Sequence, residues 1–156
     1  MQIAGLFHVA IKTNDLDATV KFYTDVLGME LAHRPDFGFP GAWLAQPNGP
    51  PIVHIYAGGP ALIDGKTPYG TGSLDHVSLT VTGWDDCLER MNRRGYDWRA
   101  AIVPGMSLWQ IFVHDPSGVM LELTFDGAAE KRPTPEIPAD RVYVPGKPFG
   151  ELAKAA

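Results

Sequence analysis

Three histidines and one glutamate lie in short strand-like segments of the sequence, among apolar neighbours: His8, His54, His76 and Glu122. Imidazole nitrogens and a carboxylate oxygen suit Fe(II), Zn, Mn, Ni or Co, and they discriminate little among these ions. The carboxylate stands between Leu121 and Leu123, where burial without a partner would be costly. A divalent cation would be such a partner, so these residue types indicate a metal centre.

The spacing of the four residues repeats along the chain. His8 opens the stretch HVAIKTNDLDATVKFY, and His76 opens HVSLTVTGWDDCLERM 68 residues later. The same offset relates His54, in IVHIY, to Glu122, in MLELT. Similar stretches at a fixed offset are typical of a duplicated module. Two modules related by a pseudo-two-fold axis would bring the four side chains to one place.

Strand alternation separates these residues from the apolar core. Successive side chains of a strand point to opposite faces of the sheet. The apolar residues of each strand, such as Leu121 and Leu123, face a helix-covered core, which leaves the two histidines and their repeat partners on the other face. Any one of the four alone would more often be an ordinary sheet residue. Their shared parity and repeat position together predict a metal centre formed by His8, His76 and Glu122, with His54 at the same site.

Each module has the pattern of an alternating strand, a helix and three further strands. We therefore predict an α+β fold with βαβββ modules at 2–58 and 74–126, a linker at 59–73 and helices on the outer face of the sheets. The proline-rich stretch 127–156 is predicted to be an irregular extension packed on a surface. In the first helix, helical spacing predicts a buried stripe formed by Leu16, Val20, Tyr23 and Leu27.

Composition excludes several classes of function. The 156 residues are 45% hydrophobic and 20% charged, as in ordinary globular domains. A formal net charge of -5 and the lack of a basic run argue against nucleic-acid binding. The sequence offers no apolar stretch long enough for a membrane helix, and its single cysteine, Cys87, suits a reducing compartment. We expect a cytoplasmic protein that acts on a small molecule.

Two stretches carry a family likeness. The sequence HVAIKTNDLDATVKFYTDVLGMEL closely resembles the opening module of the vicinal oxygen chelate superfamily, and FVHDPSGVMLELTF resembles its closing strands. That superfamily includes glyoxalase I, extradiol dioxygenases, methylmalonyl-CoA epimerase and fosfomycin- and bleomycin-resistance proteins. The resemblance covers 1–126 and implies a homodimer, with a cupped mixed sheet around a divalent metal that chelates a vicinally oxygenated substrate. His8, His76 and Glu122 match the three common ligand positions.

His54 stands at the position that separates the branches of the superfamily. In extradiol dioxygenase-like members a histidine on this strand is the acid–base group beside Fe(II). The resemblance therefore favours an Fe(II) dioxygenase with His54 as the catalytic residue. In glyoxalase I-like members the same strand brings a fourth ligand, typically Glu or Gln, so an isomerase or lyase using Zn, Ni, Co or Mn is the alternative. The third hypothesis is a non-catalytic protein that binds a small ligand, as resistance proteins do.

Aromatic residues near the four predicted ligands suggest an apolar pocket. An aromatic substrate would suit them, and we predict that the substrate is bound by Trp43, Tyr56, Trp109 and Phe112. Phe37 and Phe39 are further candidates for this pocket. The extradiol dioxygenases usually present a tyrosine ten residues before the glutamate ligand, where this chain has Phe112.

Overall fold

The computed structural model describes residues 1–2 and 5–150, so 151–156 of the predicted extension lie outside the described residues. The chain divides into two compact units, Met1–Tyr69 (unit 1) and Gly70–Ala156 (unit 2). Unit 1 contains β1 (Val9–Lys12), α1 (Leu16–Asp25), β2 (Glu30–Ala32), β3 (Gly41–Ala45) and β4 (Pro51–Tyr56). Unit 2 contains β5 (Val77–Val81), α2 (Trp84–Arg94), β6 (Trp98–Ile102), β7 (Leu108–His114) and β8 (Met120–Asp126). The predicted α+β class and the two βαβββ modules are confirmed.

Each unit builds one four-stranded mixed sheet, and the two sheets have the same topology. The strand order is β1-β4-β3-β2 in unit 1 and β5-β8-β7-β6 in unit 2. The first and last strands of each unit are parallel neighbours, with Ala10 opposite His54 and Ser78 opposite Glu122. This pairing places His54 beside the strand that follows His8, and Glu122 beside the strand that follows His76.

The buried face of α1 differs from the predicted stripe. Its buried residues are Thr19, Phe22 and Tyr23, and the C-cap residue Val26 is buried as well. Of the predicted stripe only Tyr23 is buried, and Leu16, Val20 and Leu27 are half-buried. The observed set also follows helical spacing, and it puts two aromatic rings into the core at once, which buries more apolar area. No helix of the described residues is long and apolar enough to cross a membrane.

Helix α2 takes its N-terminal cap from the extension. Its own N-cap residue, Gly83, has no side chain to accept the free backbone N–H groups. Glu130 accepts hydrogen bonds from the Gly83 backbone N–H at 2.8 Å and from that of Trp84 at 3.1 Å. A carboxylate is favourable there because the helix N-terminus carries partial positive charge. At the other end, Gly95 adopts a left-handed conformation with φ 74° and ends the helix.

The extension also packs on unit 2 further along the chain. Asp97 accepts hydrogen bonds from the Arg141 guanidinium at 2.6 Å and from the Gly150 backbone N–H at 3.0 Å. Burial alone would raise the pKa of Asp97, but the hydrogen bond and charge of Arg99 and the charge of Arg141 lower it. Phe149 is buried, with its ring 4.5 Å from that of His114. We refer to residues 127–150 as the strap.

We predict that Glu130→Ala lowers the free energy of unfolding by about 1 kcal/mol, because α2 loses its only side-chain cap among the described residues. Urea denaturation followed by circular dichroism measures the change. Glu136→Ala is the matched control, since Glu136 is an exposed glutamate of the same strap. Equal stability of the two variants would contradict the capping role.

Candidate metal centre

Unit 1 brings His8 and His54 into direct contact. The two imidazole rings stack with centroids 3.9 Å apart and an interplanar angle of 19°. The indole of Trp43, which is opposite His54 in the sheet register, covers the other side of His54 at 4.3 Å and 10°. His54 is therefore held in one orientation between two rings and is only 6% exposed.

Both histidines of unit 1 have a buried ring nitrogen without a hydrogen-bond partner among the described residues, namely Nδ1 of His8 and Nε2 of His54. An unsatisfied buried polar atom costs about 1–3 kcal/mol, so it calls for a bound group. A metal ion or a substrate proton would satisfy such a nitrogen. The donor chemistry of His54 therefore fits the group that the sequence predicts.

Burial lowers the pKa of His54, and the positive charges of His8 and Arg34 lower it further. The neutral imidazole is the form that binds a metal or accepts a proton. Because the pKa is depressed, this form persists to a lower pH than in a solvated histidine, whose pKa is about 6.5.

Unit 2 brings His76 and Glu122 together. The Nε2 atom of His76 lies 3.5 Å from Oε2 of Glu122. Glu122 is buried to 9% exposure in β8, whereas the His76 side chain stays about one-third exposed. These two atoms thus present an imidazole nitrogen and a carboxylate oxygen at one point of unit 2.

Neighbouring polar groups orient both side chains of this pair. Asp75 Oδ1 lies 2.7 Å from Nδ1 of His76, so Nδ1 donates the hydrogen bond and Nε2 keeps a lone pair when the ring is neutral. The hydroxyls of Ser78 and Thr124 donate to Oε1 of Glu122 at 2.7 and 2.8 Å, which leaves Oε2 towards His76. Such outer contacts fix the tautomer and direction of metal ligands. The sequence pattern did not single out Ser78 or Thr124 for this role.

The predicted substrate-binding residues fall on different faces. Trp43 and Tyr56 lie on the His54 face of unit 1, and Phe112 lies opposite Glu122 in unit 2. Trp109 does not belong with them. Its indole contacts Trp84 of α2 at 5.7 Å and is buried in the helix-covered core. The reason is strand alternation: Trp109 and Phe112 are three positions apart on β7 and must face opposite sides.

The strap adds a tyrosine that sequence reasoning did not select. The ring of Tyr143 stacks on Phe112 with centroids 3.6 Å apart and an interplanar angle of 10°. Burial raises the pKa of Tyr143, and the negative charges of Asp75 and Glu122 raise it further. A phenol therefore stands near the His76–Glu122 pair. No local signal in the proline-rich strap could reveal this, because the contact joins segments far apart in the chain.

Cys87 takes no part in this chemistry. Burial raises the pKa of its thiol to about 12, with a further contribution from the charge of Asp86. A thiol with so high a pKa is protonated at neutral pH and is neither a nucleophile nor a ready metal ligand. Cys87 is a half-buried residue of α2.

Each unit by itself supplies one pair of candidate ligands. Within either unit, the described residues contain no group of three or more His, Cys, Asp or Glu side chains able to hold a metal ion. The pair of unit 1 is two imidazoles, and the pair of unit 2 is an imidazole and a carboxylate. Each is thus half of the predicted set.

Comparison with known proteins was made on sequence and on structure. Residues 5–123 match the model of the Glyoxalase/Bleomycin resistance protein/Dioxygenase superfamily. This chain belongs to that superfamily. The sequence resemblance to the vicinal oxygen chelate proteins is therefore confirmed, and the strap lies outside the matched region.

Curated relatives carry glyoxalase names. A protein named lactoylglutathione lyase from Salmonella typhimurium is 30% identical over 129 residues, which is 76% of this chain and 90% of that protein. One named glyoxylase I 4 from Arabidopsis thaliana is 29% identical over 126 residues, 79% of this chain and 71% of that protein.

Solved structures share the fold. A glyoxylase/bleomycin resistance protein/dioxygenase domain from Frankia sp. EAN1pec superposes with a TM-score of 0.64 at 22% identity, covering 80% of this chain and 93% of that one. The fosfomycin resistance protein FosX from Listeria monocytogenes gives 0.59 at 17% identity, with coverage of 80% and 94%. At these identities the likeness extends to the fold alone.

We predict that Asp75→Asn weakens metal binding by roughly 10- to 100-fold, because His76 loses the carboxylate that orients its ring. Titration calorimetry with Ni(II) or Zn(II) measures the affinity. Asp64→Asn serves as the control, since Asp64 is an exposed aspartate whose left-handed backbone also suits asparagine. An affinity equal to that of the control would mean that Asp75 does not orient the ligand.

Proposed function

We propose that this protein is a metal-dependent isomerase or lyase of glyoxalase I type, with His8, His76 and Glu122 as metal ligands and His54 as the fourth. One observation carries the proposal. In unit 2 the Nε2 of His76 and the Oε2 of Glu122 converge at 3.5 Å, while their other polar atoms are occupied by neighbours. Two side chains held in this way are prepared for a cation.

The donor set supports a divalent ion without selecting one. Three imidazoles and one carboxylate are compatible with Zn, Ni, Co, Mn or Fe(II). When bound, such an ion acts as a Lewis acid that polarises a substrate oxygen and as a template that orients the substrate. Since each unit offers one pair, the complete set draws on both modules, either of one chain or of two chains in the homodimer that we also propose.

Glu122 is the residue best suited to move a proton. Isomerisation of a hemithioacetal to a 2-hydroxyacyl thioester moves one proton between adjacent carbons and one between their oxygens, and it needs no oxidant. Glu122 is the only carboxylate of the proposed set. Its Oε1 is held by Ser78 and Thr124, so Oε2, the oxygen offered to the metal, is also the atom that would accept and return the carbon-bound proton. Oε2 would serve as this base only when it is not bound to the ion.

The names of the relatives support this function better than the Fe(II) dioxygenase that the sequence favoured. The curated relatives described above are named glyoxylase I 4 and lactoylglutathione lyase. The ordered His76–Glu122 pair also counts against a non-catalytic binder of resistance type, because a protein that only sequesters a ligand has no need of an oriented pair of metal ligands.

We expect metal-loaded protein to convert the hemithioacetal of methylglyoxal and glutathione to the thioester without oxygen. His76→Ala and Glu122→Gln should each weaken metal binding sharply, because either change removes one member of the converging His76–Glu122 pair. Metal content and thioester absorbance are the measurements. His33→Ala, at an exposed histidine, is the control. Oxygen uptake on catechols without hemithioacetal turnover would overturn the proposal.

His54→Ala distinguishes a ligand from an acid–base residue. As the fourth ligand, His54 should contribute to metal affinity, so we predict a loss of roughly tenfold or more, with activity restored at saturating metal. An acid–base role would instead leave metal affinity unchanged and lower the rate by roughly 10²–10⁴. Calorimetry of metal binding and the rate at saturating metal separate these outcomes.

Mixing His8→Ala protein with Glu122→Gln protein tests where the centre forms. The two changes lie in different units. If each centre joins unit 1 of one chain with unit 2 of its partner, a mixed dimer contains one unaltered centre and recovers activity. If each centre forms within one chain, every chain of the mixture is defective and no activity returns.

A further inference from the structure

Arg34 lies between β2 and β3 of unit 1, and no acidic side chain of the described residues pairs with it. None of its nitrogens forms a hydrogen bond or an ion pair with a described residue, and its Nε and Nη2 atoms are buried without a partner. A guanidinium has five N–H donors and no acceptor, so only an acceptor can satisfy it. The residue as a whole is half-buried, but burying these two donors without an acceptor is costly.

Two aromatic rings hold this guanidinium in place. Its central carbon lies 4.8 Å from the ring centroid of Phe37 and 4.7 Å from that of Phe39. Each contact of this kind is attractive, and it is stronger where water is excluded. The rings orient the guanidinium, but they leave its N–H groups unsatisfied.

The guanidinium lies close to Gly41 of β3. A Cβ atom at Gly41 would clash first with the backbone carbonyl oxygen of Ile55, and it would also lie 3.1 Å from Nη2 and 3.2 Å from the central carbon of Arg34. The guanidinium therefore lies against bare backbone. Gly41 and Trp43 have the same parity on β3, and Trp43 stacks on His54. Arg34 is thus on the face of unit 1 that carries His54.

These features describe a site for an oxoanion. Arginine recognises carboxylates and phosphates through two parallel N–H···O bonds, and such charge-assisted bonds are the strong ones. A single guanidinium matches the charge of a monoanion, which favours a carboxylate over a doubly charged phosphate. Phe37, which is half exposed, and Trp43 offer apolar surface next to it for the body of the ligand.

We propose that Arg34 binds a carboxylate of the substrate on the His54 face of unit 1, so that the protein takes carboxylate-bearing substrates. The identification of this ligand as the substrate rests on the proposed function, whereas the anion site itself does not. The site is contained in unit 1, and the residues that build it are distinct from the four proposed metal ligands.

The test uses the full-length chain without metal, and benzoate, benzamide and phenyl phosphate as probes. We expect benzoate to bind at least tenfold more tightly than its neutral isostere benzamide. Arg34→Met keeps much of the apolar stem and should weaken benzoate binding roughly 10- to 100-fold, the scale of a hydrogen bond to a charged group, with benzamide unaffected. Calorimetry gives the affinities, and the Arg34 Nε–H resonance should shift with benzoate.

Arg34→Lys is the second variant. It keeps the charge without the planar fork, so it should bind benzoate with an affinity between those of the wild type and Arg34→Met. Arg93→Met is the control, because Arg93 is an exposed arginine on α2 and should leave benzoate affinity unchanged. Thermal melting establishes whether each variant folds. If Arg34→Met does not fold, the test rests on the benzoate affinity of Arg34→Lys.

Three results would overturn the proposal. The first is that benzoate does not bind at millimolar concentration. The second is that the wild type and both Arg34 variants bind benzoate with equal affinity. The third is that phenyl phosphate binds and benzoate does not. The last would identify a phosphate site in place of a carboxylate site. Because no metal is present, a failed metal centre leaves these outcomes unchanged. If benzoate does not bind, the proposed metal binding by Glu122 is unaffected and is tested separately by the Glu122→Gln variant.

Discussion

The carboxylate of Glu122 imposes the constraint on which the rest of the candidate centre depends. It lies in the middle of β8, buried between strand neighbours, and an isolated charge there would be strongly unfavourable. The fold places Ser78 on the parallel neighbour and Thr124 on the same face, and their hydroxyls satisfy one oxygen. The second oxygen is left towards His76. The contacts that stabilise this buried charge thus also orient Glu122 and His76 as a pair of candidate ligands.

The two modules hold the residues at their equivalent positions, His54 and Glu122, by different interactions. Where unit 2 has Glu122, unit 1 has His54, and an imidazole can be buried in its neutral form. Aromatic stacking therefore replaces the hydroxyl network: His8 and Trp43 cover the two sides of the ring. Stacking fixes the plane of His54 but satisfies none of its nitrogens. The duplicated fold thus combines one pair held by hydrogen bonds with one held by ring contacts, and both leave a donor atom for a bound group.

The strap links stability to the candidate centre within unit 2. Glu130 caps α2, Arg141 joins the strap to Asp97, and Tyr143 stacks on Phe112, which pairs with Glu122 across the sheet. The match to the superfamily model ends at residue 123, before this segment. The matched elements are therefore completed by contacts from a segment outside the match. In this chain the strap is part of the folded unit and reaches the surroundings of the ligand pair.

Sequence periodicity by itself determined the two modules, their strand and helix order, and the face on which His8, His54, His76 and Glu122 lie, because alternation and helical spacing are local properties. The same rule, applied to Trp109, would have assigned it to the core. Tertiary structure alone decided which atoms remain available: Asp75 occupies one nitrogen of His76, and Arg34 has no acidic partner in the part of the chain that the structure describes. The contact between Tyr143 and Phe112 was likewise decided by the tertiary structure alone. Whether a polar atom is satisfied depends on its neighbours in space, and a local sequence pattern does not specify them.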